Sequence, residues 1–558
     1  MANKKQQRPK LQIIPLGGVD EIGKNMTAFV YGDDMILVDC GSMFPQEEML
    51  GIDLVIPDIT FLVKNRDKLR AILITHGHED HIGAMPYVLR ELPVPVYGTQ
   101  LSLGLIENKL KEHRINNAKL NTIAAGDKIS IGCFTIEFIK VCHSIAGAVA
   151  LAIHTPVGTV VHTGDFKIDY TPIDGVPTDL AKFALLGKQG VLCLLGESTN
   201  VERPGSTISE RKIGETFETF FRSAKGRIIV ATFASNIHRI QQIIDAAKNH
   251  RRKICLSGRS MINVANMATS LGEMHIPDGM LIELDDVKRY RDDQLVIITT
   301  GSQGEAMSAL VRMAMSEHRQ LDIHPGDTVI ISATPIPGNE KFVSRVINQL
   351  YRKGARVIYD ALAEVHTSGH ARQEELKLIH SLVKPKFFVP IHGEYRHLVQ
   401  HAELAKSLGM RDKNVFIPEC GGVLEFSRNS AQRAGEVVAG QVLVDGLGIG
   451  DVGNVVLRDR KHLSEDGLMV AVLALSKETG ELISEPEIIS RGFVYVKESE
   501  DLIAGARAAI ESAIASTTRN TPRKEWGNVK NVVRNRLREY LYEKTKRNPM
   551  ILPIVVEL

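Results

Sequence analysis

The stretch Thr75-His76-Gly77-His78-Glu79-Asp80-His81, at the end of the short apolar run Ala71-Ile72-Leu73-Ile74, constrains this chain more than any other feature. The run is too short and too β-branched for a helix, so it predicts a buried strand. Ligand-type side chains begin where that strand stops, on the loop leading to Gly83 and Ala84. In extended backbone, residues two apart point the same way, so His76 and His78 can close on one ion. Asp80 and His81 are neighbours and converge only if the chain turns there, which suits a second ion beside the first. Two metals about 3.5–4 Å apart can clamp a phosphoryl group and generate a nucleophile at neutral pH, and imidazole with carboxylate is a zinc-type donor set. A structural zinc is usually closed by four ligands, often cysteines, and none lies nearby. An ordinary polar loop rarely collects three His and one Asp in six positions.

The pattern resembles the HxHxDH signature of the metallo-β-lactamase superfamily. Two isolated residues follow in the order that superfamily uses. His143 lies just beyond the predicted strand Phe134 to Val141, and Asp165 ends Val160-Val161-His162-Thr163-Gly164-Asp165. Either alone reads as a turn or cap residue. In this order they read as a lone metal histidine and an Asp able to bridge two ions. Asp39 closes the predicted strand from Met35, where the resemblance places a carboxylate that props the metal loop. His162 lies inside its strand and reads as a packing or propping residue. Gly17-Gly18-Val19-Asp20-Glu21-Ile22-Gly23 lacks the GxGxxG spacing and precedes a strand, so it predicts a hairpin turn rather than a dinucleotide loop.

At 558 residues the chain has room for about three to four domains. A net charge of +2 confines any nucleic-acid surface to a local patch. The six cysteines are scattered without CxxC spacing and read as buried thiols of a reducing compartment. No apolar run approaches the roughly 18 residues of a membrane span, and the basic arm 1–10 has no apolar signal segment. The expectation is a cytoplasmic protein with no membrane partner.

From about Gly205 to Glu364 strands and helices alternate, which predicts a parallel sheet covered by helices. Its loops Ser235-Asn236, Ser257 to Ser260, Gly301 to Glu305 and Pro335 to Asn339 are small, polar and Gly-rich, fit to face a cleft and cradle phosphate. Two histidine motifs follow: Val365-His366-Thr367-Ser368-Gly369-His370, and Ile391-His392-Gly393-Glu394-Tyr395-Arg396 after the apolar strand Pro385 to Pro390. His113, His250 and His397 lie in polar helical contexts and read as surface residues. Asp165 and His392 are 227 positions apart. If both serve one cluster, a whole domain is inserted between two halves of the metal fold. The expected organisation is α/β: a metal domain over 11–208 and 366–452, an inserted domain over 209–365, a linker at 453–466 and an α+β tail domain at 467–558. The last predicted helix, Pro522 to Arg547, carries nine Lys/Arg against three Glu and offers either a solvated face or an RNA contact.

With HTSGH and PIHGEYR added, the chain resembles the ribonuclease J family of bacterial β-CASP ribonucleases nearly end to end. The segments that carry the likeness include GGVDEIGKN, LGIDLVIPD at 50–58, ATFASNIHR, GSQGE and YEKTKRNPMILP. The resemblance implies a metallo-β-lactamase αββα sandwich interrupted by a β-CASP domain, with a C-terminal domain used to form dimers or tetramers. It implies two Zn2+, replaceable by Mn2+ or Mg2+: His76, His78 and His143 on one, Asp80, His81 and His392 on the other, Asp165 bridging. It also implies a structural Ca2+ near Asp53 and Asp445. Many members read HSIPDS where this chain reads His143-Ser144-Ile145-Ala146-Gly147-Ala148, which removes a carboxylate beside the site. Members often carry Asp where this chain has Glu197, an acid with longer reach.

The implied activity is hydrolysis of single-stranded RNA in maturation and decay, both 5′-to-3′ from monophosphorylated ends and internally. Asp80 would accept the proton of the attacking water, and His370 would protonate the leaving 3′ oxygen. Glu197 would orient His370 and raise its pKa. Ser235, Asn236, Ile237, His366, Thr367, Ser368, Gly369 and His370 would bind substrate phosphate. Competing expectations are a DNA-directed β-CASP nuclease, a small-ester metallohydrolase, and a weakly active scaffold among other RNA-decay proteins.

Overall fold

The computed structural model describes residues 9–303, 308–335, 339–494, 499–518 and 526–558. It divides into two compact units, 1–44 with 54–442 and 45–53 with 443–558.

The first unit holds three large sheets. One has eight strands, in the order Ala431–Glu436, Gly422–Phe426, Leu11–Gly17, Met26–Tyr31, Asp34–Val38, Leu69–Leu73, Val96–Gly98, Leu120–Thr122. A second has six: Phe387–Ile391, Val191–Glu197, Gly158–His162, Val149–Thr155, Phe134–Lys140, Lys128–Ile131. Alternating side chains of the two pack face to face. Phe29, Ile36, Val38 and Leu73 from one meet Phe134, Phe138, Leu151, Leu195 and Val389 from the other, all buried. Helices Leu180–Gln189, Gln373–Val383 and Tyr395–Ser407 cover the six-stranded sheet's other face through Phe183, Leu376, Ile379 and Ala405. The result is an αββα sandwich.

Both sheets take strands from either side of the inserted domain. Phe387–Ile391 pairs in parallel with Val191–Glu197, and Gly422–Phe426 pairs with Leu11–Gly17. Between them lies a five-stranded parallel sheet, ordered Lys253–Ser257, Leu295–Thr299, Ile228–Ala231, Thr328–Ile331, Arg356–Ile358. Its strands are near-continuous apolar runs, as parallel strands buried on both faces must be. Ile228, Val230, Val296 and Ile298 serve one core, Ile229, Ala231, Ile297 and Val329 the other.

In the second unit, the stretch expected as a linker is a helix, Asn454–Asp466, with no buried residue. A three-stranded sheet, Glu487–Arg491, Leu468–Leu475, Met550–Glu557, packs one face on helices Glu500–Thr518 and Trp526–Thr545. The other face stays apolar. Val470, Val472 and Ala474 stand in register with Leu552, Ile554 and Val556, the last three 41–49% exposed. Among the described residues no helix is long and apolar enough to cross a membrane.

Two readings of single residues need correction. His397 is buried, not superficial, because its ring accepts the Glu394 N–H in the first turn of its helix. Cys420 is exposed, although the six cysteines are all unpaired.

Candidate metal centre and active site

The strand Leu69–Leu73 delivers the ligand loop, and Asp80 and His81 fall on a short helix, Glu79–Ile82. That helix is the turn that lets two neighbours face one place. Its backbone is clamped from below. Asn25 N–H donates to the Asp80 carbonyl at 2.9 Å, Cys40 N–H to that of His81 at 2.7 Å and Ser42 N–H to that of Glu79 at 3.0 Å. The approach is so close that a Cβ on Gly41 would lie 1.6 Å from the Asp80 carbonyl oxygen.

The remaining donors come from the carboxyl ends of adjacent strands. Gly158–His162, Val191–Glu197 and Phe387–Ile391 run parallel side by side, and just beyond or at their ends stand Asp165, Glu197 and His392. Phe134–Lys140 runs the same way two strands over and presents His143. Two strand-end residues at the donor cluster have positive φ, Asp39 at +61° and His392 at +54°, a conformation uncommon outside glycine.

The seven expected ligands form two donor groups. His76 Nε2, His78 Nδ1 and His143 Nε2 form the first, with His78 Nδ1 3.0 Å and 3.1 Å from the other two. Imidazoles bound at about 2.0–2.1 Å around one tetrahedral ion would stand about 3.3–3.4 Å apart. Asp80, His81, Asp165 and His392 form the second, with His392 Nε2 3.1 Å from Asp80 Oδ2 and His81 Nε2 3.2 Å from Asp165 Oδ2. Asp165 Oδ2 also lies 3.7 Å from His76 Nε2 and 3.9 Å from His143 Nε2, so it stands between the groups.

Partners at the far ring nitrogens aim these lone pairs inward, as metal ligands require. His81 Nδ1 meets Asp39 Oδ2 at 2.8 Å, His143 Nδ1 donates to the Gly369 carbonyl at 2.7 Å, and His392 Nδ1 meets Thr199 Oγ1 at 2.6 Å. Asp39 also accepts the Thr75 N–H and hydroxyl, both at 2.8 Å, tying the loop's first residue to its last histidine. Burial, then the neighbouring imidazoles, hold His76 and His143 well below the usual histidine range. His78 falls to about 4, mainly through burial. These are the neutral imidazoles that a cation binds. Burial would also lower His81 and His392, but Asp165 and Asp80 outweigh it and hold both raised. In the second group the carboxylates thus favour positive charge on the imidazoles, a place a cation would take, and the donor set fits metal ions.

His370 stands beside the cluster, Nδ1 3.1 Å from Glu197 Oε2 and 3.8 Å from Asp165 Oδ2. Burial alone would depress it, yet the Glu197 carboxylate and Asp165 push it up to about 9. Glu197 Oε1 accepts the Phe166 and Ala371 N–H groups, so its orientation is fixed by backbone.

The expected phosphate-binding residues are differently committed. Thr367 spends its hydroxyl hydrogen on the Ile208 carbonyl, so it cannot donate to phosphate. Asn236 Oδ1 caps the helix Ile237–Asn249 by accepting Arg239 N–H. Ser368 Oγ accepts from Asn200 Nδ2 at 2.8 Å and from His370 N–H, which leaves its own O–H to donate outward. Of the cleft loops, Ser257 to Ser260 line a separate cavity of about 1380 Å3. Residues 304–305 of Gly301 to Glu305 and 336–338 of Pro335 to Asn339 lie outside the described residues. Asp53 accepts the Gly446 N–H at 2.8 Å, which brings it beside Asp445, and Asp445 is paired with Arg460.

Of the residues that hold the donors, sequence reasoning found Asp39 and missed the rest. Thr75 and Thr199 had no assigned role. Asn25, whose Nδ2 lies 3.1 Å from His81 Nε2 and 3.3 Å from Asp80 Oδ2, sits in the quoted GGVDEIGKN segment without having been assigned a role.

Fold and donor set together define a metallo-β-lactamase-type metallohydrolase with a parallel-sheet domain inserted beside its metal centre. Residues 19–186 match the metallo-beta-lactamase superfamily, 225–350 the ribonuclease J beta-CASP domain, 355–418 the Zn-dependent metallo-hydrolase RNA specificity domain and 455–558 the ribonuclease J C-terminal domain. The chain belongs to the ribonuclease J family. It is 45% identical over 556 residues to "Ribonuclease J2" of Bacillus subtilis, covering all of both chains. It is 44% identical over 555 residues to "Ribonuclease J" of Thermus thermophilus, covering 98% of this chain and 95% of that one. A solved protein of unknown function from Enterococcus faecalis shares the fold, with TM-score 0.54 and 18% identity over 75% of this chain and all of that one. The chain is accordingly an RNA-processing metallohydrolase.

Proposed function

We propose that this protein binds two zinc-type ions and degrades 5′-monophosphorylated single-stranded RNA stepwise from the 5′ end, with internal cleavage as a second mode. The observation that carries the reading is the adjacency of two unlike sites. The loop 366–370 joins the donor cluster at Gly369 and His370 and presents the O–H of Ser368 immediately before them.

Seven donors with Asp165 between them exceed what one tetrahedral ion accepts, which supports two ions. Bound there, the ions would supply Lewis-acid charge at the scissile phosphate and make a water acidic enough to attack near neutral pH. Asp80, 28% exposed and held in its charged form by His81 and His392, would take the proton of that water. His370, kept protonated by Glu197, would deliver a proton to the leaving 3′ oxygen. Ser368, Ser235 and the amide nitrogen of Asn236, at the start of the helix Ile237–Asn249, offer donors to a terminal phosphate. Gly369 fits this loop because any Cβ would meet His143 Cε1 at 2.6 Å.

The apolar sheet face of the C-terminal unit supports self-association through a second copy, giving a dimer or tetramer. Six unpaired cysteines support a reducing, cytoplasmic setting.

The test is a time course on RNAs differing only at the 5′ end. Monophosphorylated RNA should be degraded faster than its triphosphorylated twin, releasing mononucleotides from the 5′ end first. Equal rates on both, or release from the 3′ end, would refute the end pocket.

A further inference from the structure

Arg239, in the first turn of the helix Ile237–Asn249, is fully buried. Its Nε and Nη2 donate to the two oxygens of Glu210 at 2.7 and 2.8 Å, a bidentate pair. Its Nη1 donates to the Ser332 carbonyl at 3.0 Å and meets His366 Nδ1 at 2.9 Å. A guanidinium has donors only, so the last contact requires His366 Nδ1 to accept. A histidine accepting at Nδ1 carries its one hydrogen on Nε2.

We propose that Arg239 is a positioning residue that locks His366 in the Nε2–H tautomer and so makes it a fixed, uncharged donor to the terminal phosphate of RNA. The proposal rests on the end-pocket reading and adds to it which ring atom binds and what holds it there.

The surroundings agree. Burial, then the charge of Arg239, with Lys167 and Arg203 beyond it, hold His366 well below its ordinary range against the pull of the Ser332 carbonyl. Ser332 itself is anchored, its hydroxyl donating to the Val365 carbonyl at 2.6 Å, one residue before His366. Glu210 opens the helix Glu210–Ser223, and its N–H donates to Asp169 Oδ2 at 3.0 Å. Asp169 follows the metal-side Asp165 by four positions. The chain Asp169–Glu210–Arg239–His366 therefore sets the pocket in register with the metal cluster. A neutral donor contributes direction rather than charge, so it favours a phosphate of the right size over an end with more charge. That is the selectivity expected of a monophosphate pocket.

The experiment measures, for the full-length metal-loaded enzyme, the ratio of kcat/KM on RNAs carrying a 5′-monophosphate or a 5′-hydroxyl. His366→Gln, Arg239→Met and the double variant are compared with the unaltered protein. Each single variant should lower the ratio about tenfold, with the change carried by KM. The double variant should be no worse than His366→Gln alone, because both act through one ring. Additive losses would overturn the proposal. Arg239→Met leaves Glu210 buried without its partner and can fail to fold. Spectra of the unaltered protein with 15N-labelled histidine then read the tautomer directly, His366 being identified by its loss in His366→Gln. A bare Nδ1 and protonated Nε2 are expected, and the reverse overturns the proposal. If His366→Gln leaves the ratio unchanged, the end-pocket reading falls and the phosphate role of His366 with it. The spectrum still decides whether Arg239 sets the tautomer.

Discussion

Replacing Glu197 by Gln removes one charge and almost no volume, and the structure dictates what should follow. Glu197 Oε1 accepts two backbone N–H groups, which the amide oxygen of Gln can still accept, so the strand end and the loop at Ala371 should keep their places. What is lost is the carboxylate 3.1 Å from His370 Nδ1. In the native protein that carboxylate, helped by Asp165, overcomes burial and pushes His370 up to about 9. Without it, burial is opposed only by Asp165 and Asp80, so the ring should fall back towards its ordinary range. A histidine with a raised pKa is protonated below that value and loses its proton as pH rises through it. At pH 7.5 a smaller share of the enzyme would carry the acid form, so kcat should fall, by ~10-fold if the ring returns to its ordinary value. The loss of the acid's partner could carry it towards the ~10²–10⁴-fold typical of general-acid removal. The basic limb of the kcat profile should move to lower pH. Metal cations bound alongside would oppose His370 protonation in both proteins, so the sign of the difference is unaffected. The assay is single-turnover cleavage of a short 5′-labelled RNA between about pH 6 and 10, with metal content measured on the same samples. An unchanged profile with kcat within about twofold would refute the role of Glu197. A lost ion would instead make Glu197 a ligand, since Asp165, Glu197, His370 and His392 also form a donor group close enough to hold one.

Other outcomes are fixed by the same geometry. Asp80→Ala should remove at least one ion and lower cleavage by more than about 10³-fold while the fold is kept, and metal analysis with circular dichroism checks both. Zinc binding should release protons and weaken on acidification, because His81 and His392 hold raised pKa values that a cation must displace. Titration calorimetry giving the same heat in buffers of different ionisation enthalpy would contradict this. Ser368→Leu should cost terminal cleavage about tenfold and internal cleavage less, because the outward O–H is lost and the pocket filled. Gel analysis of end-labelled and internally labelled RNA separates the two modes.

Much of the metal centre was legible because its donors are chemically unusual where they stand. A charged or imidazole side chain directly after an apolar run is a strand-end residue, and parallel strands bring their carboxyl ends together. Asp165, Glu197 and His392 needed only adjacent places in one sheet to converge. The interrupted fold was legible for the same reason, since two halves of one donor set cannot lie 227 residues apart unless something folds between them. The helix Asn454–Asp466 was less so. It buries nothing, and its charged surface hides the periodicity by which helices are usually read.

What sequence could not give is how neutral groups divide their hydrogen bonds. Thr367 and Ser368 are adjacent hydroxyls in the same motif, and nothing local separates them. The structure does so through partners 159 and 168 residues away: Thr367 donates to Ile208, while Ser368 accepts from Asn200. One hydroxyl is thereby spent and the other left to act. Arg239 and His366 make the same point across 127 residues. A buried arginine predicts a buried carboxylate somewhere, but not that a spare N–H will choose the tautomer of a histidine. Ligand identity is therefore written in residue type at strand ends, whereas donor polarity is decided only when distant segments pack. Substitutions at Arg239 or Asn200 should consequently alter which RNA end is preferred, read as relative rates on the two 5′ ends, while the seven candidate metal donors remain untouched.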